Sequence, residues 1–236
     1  ISRDDILGGI LRTFTTADGQ LWGLTSSYYL DTLVGRSDTL NGMTSWTLKE
    51  MIDFAKALPE GSSLTRALTQ WSVTTTFKGM FNQFIDIENH TCDFENESFY
   101  KLLNFISTLP KEHNYEERGD NYYEVYQTGK TALYPAYISS PPNVTELQCV
   151  FNSKDYTLIG YPTTGDNTYG GLITYDTAYM IASCCENTDV AWDFIKSTIT
   201  PKGERYSNNL PILKSSMKAQ CETYYNYEFE YYFSGG

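Results

Sequence analysis

An α/β fold is predicted for this chain, and three observations carry the prediction. Apolar residues recur at helical spacing over 48–58, 99–109 and 191–199. Extended candidates rich in Tyr, Thr and aliphatic residues fall before and between these stretches, at 28–34, 156–161 and 178–184. Each helical stretch stops at or just before a proline: Pro59, Pro110 or Pro201. Strands therefore alternate with helices along the 236 residues instead of segregating from them.

In chain order, Asp18-Gly19 is a turn signal, and Gln20–Leu24 after it is expected to be a short strand. Tyr28–Val34 is a second extended segment, ended by Gly35-Arg36. Thr47 followed by Glu50 is a capping box: hydroxyl and carboxylate each satisfy an amide left open at a helix start. Leu48, Met51, Ile52, Ala55 and Leu58 then form one helical stripe, and Pro59-Glu60-Gly61 ends it. Ser63 is expected to cap a further helix carrying Leu64, Ala67, Leu68 and Trp71. Phe84–Ile87 and Thr91–Phe94 form a hairpin about Glu88-Asn89-His90. A helix with Phe99, Leu102, Leu103, Ile106 and Leu109 on one face follows. Tyr122–Gln127 is a short helix, and Gly129-Lys130 turns it into Thr131–Tyr134. Tyr156–Tyr161 and Ala178–Cys184 are strand candidates. Thr188 is expected to cap a last helix with Ala191, Phe194, Ile195 and Ile199. The acidic, aromatic tail beyond Gln220 carries no assignable period.

Composition narrows the function. The chain has 29 acidic and 17 basic side chains, a net charge of −12 that disfavours nucleic acid as a partner. No apolar run approaches the ~20 residues of a membrane helix. Only two histidines occur, His90 and His113, both in predicted solvated loops, which is poor material for a Ser-His-Asp triad. No nucleotide-binding glycine motif or zinc-protease motif is present, so no cofactor and no metal are expected. Ser98-Phe99-Tyr100-Lys101 and Ser215-Ser216-Met217-Lys218 fit S-x-x-K formally, without the companion motifs that would give the match meaning. Asp and Glu are plentiful, which leaves a glycosidase-like pair open, but none is singled out by its setting. Five cysteines, with no C-x-x-C spacing, read as buried free thiols, with a Cys92–Cys149 bridge as the alternative. Cys184 and Cys185, on a strand, would point to opposite faces. The 20 tyrosines are far above ordinary usage, and tyrosine's flat apolar face and polar tip suit wet recognition surfaces. Sequons stand at Asn89, Asn96 and Asn143. Both ends read as cuts from a longer polypeptide.

Several segments together resemble the extracellular solute-binding proteins of ABC importers, in the sugar-binding family 1. Asp18-Gly19-Gln20-Leu21-Trp22-Gly23-Leu24 is similar to that family's first crossover strand, with Thr25 where a proline is usual. Trp46-Thr47-Leu48-Lys49-Glu50 resembles a helix-opening block, and Cys92-Asp93-Phe94 with Phe99, Leu102, Leu103 and Phe105 another. Gly129-Lys130-Thr131-Ala132-Leu133 is similar to the return crossover. Ile159–Thr163, Val190–Lys196 and Asn209–Ile212 match later blocks.

The resemblance implies a periplasmic-binding-protein-like type II fold: two α/β lobes joined by crossover strands, with the ligand between them. Residues 1–23 would be a first-lobe segment and hinge, 24–132 second-lobe, and 133–236 the return crossover with parts of both lobes. It implies a carbohydrate or oligosaccharide ligand and ABC permease subunits as partners. It also implies a monomer at the cell surface as a lipoprotein, or in the periplasm, with the lipid anchor outside this chain. Members bind their ligand without transforming it. The alternatives are a secreted carbohydrate-active enzyme and a receptor or adhesion module on the same fold. Sugars are held by aromatic stacking and hydrogen bonds, so the candidate ligand contacts are Trp22, Tyr28 and Tyr29 at the first crossover, Tyr137 after the second, Trp71, and Tyr169-Gly170. Trp46 and Trp192, beside or on amphipathic helices, are assigned to packing.

Overall fold

β1 (Ser27–Arg36) is the strand to which the rest of the main sheet attaches. The structure, a computed structural model, describes residues 1–66, 68–72, 80, 83–87, 89–112, 122–163, 170–200 and 209–226. β4 (Leu133–Ile138), β5 (Tyr156–Leu158), β6 (Leu172–Thr174) and β7 (Leu210–Pro211) all pair with β1. Pairing is antiparallel to β5, with Val34 opposite Leu158, and to β7, with Ser27 opposite Pro211. Four consecutive β1 residues, Thr32–Gly35, are buried, the pattern of a strand covered on both faces. The chain forms two compact units: Ile1–Leu30, Ile138–Val144 and Ile173–Gly236 make the first, Asp31–Tyr137 and Thr145–Leu172 the second. β1 and β4 are thus crossover strands, each running from one unit into the other.

In the second unit, α2 (Leu48–Ala57) begins at the predicted capping box. The Glu50 amide donates to the Thr47 hydroxyl at 3.2 Å, and the Thr47 amide donates to the Glu50 carboxylate at 2.7 Å. The hairpin forms as β2 (Ile85–Asp86) and β3 (Thr91–Cys92). α3 (Glu97–Ser107) starts at Asn96, whose side chain accepts from the Ser98 amide, and buries Leu102 and Ile106. These pack with Leu33, Leu40, Trp46, Met51, Leu133 and Ile159 into one core. Trp46 has its predicted packing role: it is 1% exposed and donates its indole N–H to the Gly160 carbonyl at 2.9 Å.

The helix expected from Ser63 does not form, because the backbone there is taken by a different partner. Ser63 donates to the Lys130 carbonyl, Ala132 to Ser63, and Leu133 to Leu64. Residues 63–64 therefore run extended beside 130–133, and among the described residues a 3₁₀ turn, Gln70–Ser72, follows. Ala67 lies outside the described residues. The short α4 (Glu124–Gln127) ends at Gly129, and its Tyr126 sits edge-on to Tyr134 and Phe151, fully buried. Burial, then the neighbouring Tyr122, pushes the Tyr126 phenol pKa upward.

The first unit has its own core. α1 (Gly8–Phe14) contributes Ile10 and Phe14, and α6 (Thr188–Ile199) contributes Ile195 and Ile199. Ile6, Leu24, Ile212 and Leu213 complete it, with Trp192 packed against it as predicted. α6 is preceded by Asn187 at its cap position rather than by Thr188, and without a side-chain capping bond. Gln20–Leu24 and Ala178–Cys184 are not continuous strands. Leu21 bridges Thr15, and Leu24 bridges Tyr179, as isolated pairs. The unassigned tail begins as α7 (Lys214–Asn226), and α5 (Pro141–Phe151), absent from the sequence reading, buries Leu147, Val150 and Phe151. All five cysteines are free, as expected, but none is buried: Cys92, Cys184 and Cys221 are exposed and Cys149 and Cys185 half-buried. They lie in the hairpin, on helices and in a turn, not at core positions. His90 is exposed in its turn, and His113 lies outside the described residues.

Candidate functional site

The end of α1 and residues 22–24 build an aromatic shelf on the first unit. The Trp22 amide donates to the Phe14 carbonyl at 3.0 Å, which fixes the segment against the end of α1. Its indole then lies 5.0 Å from the Phe14 ring, tilted by 44°. Phe14 is fully buried and lies 4.9 Å from the Tyr175 ring on its other contact. The Trp22 ring is thus supported from below while 42% of the residue stays open. Leu24 and Tyr179 exchange backbone hydrogen bonds at 3.0 and 2.7 Å, which holds 175–179 alongside 22–24.

Strand alternation divides the two tyrosines that follow. Tyr29 donates its hydroxyl to the Asp176 carboxylate, next in sequence to Tyr175. Tyr28 packs instead against the first unit's core, opposite Leu210. Burial, then Cys221, raises the Tyr28 phenol pKa. An open indole and an exposed carboxylate held by a phenol are thus linked through Phe14 and Tyr175 within one unit. An apolar C–H face can stack on the first, and a hydroxyl can donate to the second.

The other sequence candidates lie in the second unit. Tyr137 on β4 is 54% exposed, and Trp71 in the 3₁₀ turn is 80% exposed. Gly170 bridges Gly160, and the Tyr161 amide donates to the Gly170 carbonyl at 2.9 Å. Tyr169 lies outside the described residues. Phe14, Tyr175 and Asp176 were not singled out from sequence. Asp176 is one of 29 acids, and only the fold sets it against Tyr29. A cavity of about 890 Å³ lies elsewhere in the second unit, between α2 and α3, lined by Leu48, Ile52, Lys56, Lys101 and Phe105 among others and by none of the predicted contacts. Among the described residues no group of three or more His, Cys, Asp or Glu could hold a metal ion, and no helix is long and apolar enough to cross a membrane.

Residues 4–219 match the family model described as bacterial extracellular solute-binding protein. No curated protein sequence matches the chain. Among solved structures it is similar to the sugar-binding protein MalE from the phytopathogen Xanthomonas citri, at 16% identity and a TM-score of 0.52, over 94% of this chain and 62% of that one. It is similar as well to an extracellular solute-binding protein family 1 structure from Alicyclobacillus acidocaldarius subsp. acidocaldarius, at 13% identity and a TM-score of 0.52, over 95% and 63%. The chain thus spans less than two thirds of the length of these structures, and at such identities the likeness is one of fold: α/β and periplasmic-binding-protein-like. With nine tenths of its residues under one family model, the chain belongs to the bacterial extracellular solute-binding proteins.

Proposed function

We propose that the protein is the solute-binding component of an ABC importer and that its solute is a carbohydrate or oligosaccharide. The observation that carries this reading is the shelf: an open Trp22 ring backed by Phe14, linked through Phe14 and Tyr175 to the Tyr29–Asp176 pair of the same unit. A pyranose offers both matching chemistries, C–H faces for the indole and hydroxyls for the carboxylate. The fold likeness to a protein named as sugar-binding supports the same reading. In this role the protein binds and releases its solute unchanged, outside the cytoplasmic membrane as a lipid-anchored or periplasmic protein, and hands it to permease subunits.

Titration calorimetry and thermal shift on the full-length protein test the proposal, with glucose, maltose and maltotriose as probes. A ligand that binds only the folded state stabilises it by about 2.7 kcal/mol at a hundredfold excess over Kd, a readily measured shift in Tm. Trp22→Ala is expected to weaken binding about tenfold or more, equivalent to ~1.4 kcal/mol, by removing the stacking ring. Tyr29→Phe should weaken it less, since Asp176 keeps its charge. Absence of saturable binding by every mono- and oligosaccharide at millimolar concentration overturns the carbohydrate reading.

A further inference from the structure

Cys184 and Cys185 are adjacent, and the strand expected over 178–184 would have sent their side chains to opposite faces. The structure replaces that strand with a turn: the Cys185 amide donates to the Ala182 carbonyl at 2.9 Å. A turn carries no such alternation, so the two side chains are not committed to opposite faces. Both thiols are free, Cys184 exposed and Cys185 half-buried. An oxidant in solvent can reach the first, and the second is its immediate neighbour.

We propose that Cys184 and Cys185 form a vicinal thiol pair that closes reversibly to a disulfide in the presence of a small disulfide oxidant such as oxidised glutathione. The Cys184 thiolate attacks one sulfur of the oxidant, forming a mixed disulfide and releasing one glutathione thiolate. The Cys185 thiolate then attacks the Cys184 sulfur, and the second glutathione thiolate leaves. The two protons lost by the cysteines are taken up by the two glutathiones. Protein is oxidised by two electrons and the oxidant reduced by two.

Covalent geometry sets the character of this bond. Neighbouring Cα atoms across a trans peptide are about 3.8 Å apart. Ordinary disulfides span about 4.4–6.8 Å between Cα atoms, and departures from that range make the bond more reducible. The ring also contains the planar peptide link between the two residues. The pair is therefore a labile modification site, not a structural staple. It sits in the segment joining Tyr179, which is paired with Leu24, to α6. Nothing in it depends on the ligand assigned to the shelf.

The test uses peptide mass spectrometry of the full chain. Cleavage after Lys154 and Lys196 releases a peptide, 155–196, whose only cysteines are Cys184 and Cys185. After equilibration with oxidised glutathione, acid quenching, alkylation and digestion, this peptide is expected to be lighter by two hydrogens and to carry no alkyl group. Excess reduced glutathione should restore alkylation at both sites. Cys184→Ser and Cys185→Ser should each retain a glutathione adduct on the remaining thiol, because the resolving partner is gone. A wild-type peptide that carries glutathione, takes two alkyl groups after oxidation, or is cross-linked to a peptide holding Cys92, Cys149 or Cys221 overturns the proposal.

Discussion

At the scale of single residues, Gly160 and Gly170 show why a side chain can be forbidden. Gly160 has φ +76°, and a Cβ there would lie 2.5 Å from the Gly170 carbonyl carbon. A Cβ on Gly170 would lie 1.8 Å from the Tyr161 carbonyl oxygen. Both obstacles are backbone, which cannot rotate away. Gly170→Ala should therefore lose more than about 2 kcal/mol in urea unfolding, the range of substitutions that force strain into a packed backbone. An alanine variant within ~0.5 kcal/mol of wild type would contradict this close approach. From sequence Gly170 was a candidate ligand contact; that it lies against the backbone of Gly160 and Tyr161 followed only from the fold. Trp22 was singled out from sequence, but its supporting ring, Phe14, was not, because the contact joins a helix end to a later bridge.

At the scale of elements, α2 is the clearest case of local sequence dictating structure. Its cap, its stripe and its stop all agree, and the capping box forms as the spacing requires. Thr47→Ala should cost about 1 kcal/mol at neutral pH, measured by urea unfolding. Hydrogen bonds from the Thr47 amide, then its hydroxyl, hold the Glu50 carboxyl below the usual carboxylate range. A group lowered on folding stabilises above its unfolded pKa, and the stabilisation fades as pH falls through the folded one. The penalty of Glu50→Ala should therefore be full near pH 7 and shrink below about pH 4. The segment after Ser63 is the opposite case: a cap-like serine and an apolar stripe were overruled because residues 130–133 supplied backbone partners from far along the chain. α5 could have been found from Pro141 at a helix start followed by Leu147, Val150 and Phe151, a spacing that places them on one face.

At the scale of the whole molecule, two apolar cores form, one in each unit, around Met51 and Leu102 in the second and Ile10 and Ile212 in the first. Met51→Ala and Ile212→Ala should each cost about 2–5 kcal/mol, the usual range for emptying a fully buried site. Native-state hydrogen exchange should show the first loosening chiefly second-unit amides and the second chiefly first-unit amides. Uniform loss of protection from either substitution would mean one cooperative unit. By itself the sequence determined the α/β class, the capped helix α2, the helix α3, the hairpin between them and the motifs of the solute-binding family, because each rests on neighbours within a few residues. The tertiary structure alone decided which carboxylate meets Tyr29 and which ring supports Trp22. Those outcomes depend on contacts between segments as far apart as Tyr29 and Asp176, whose pairing no local period encodes.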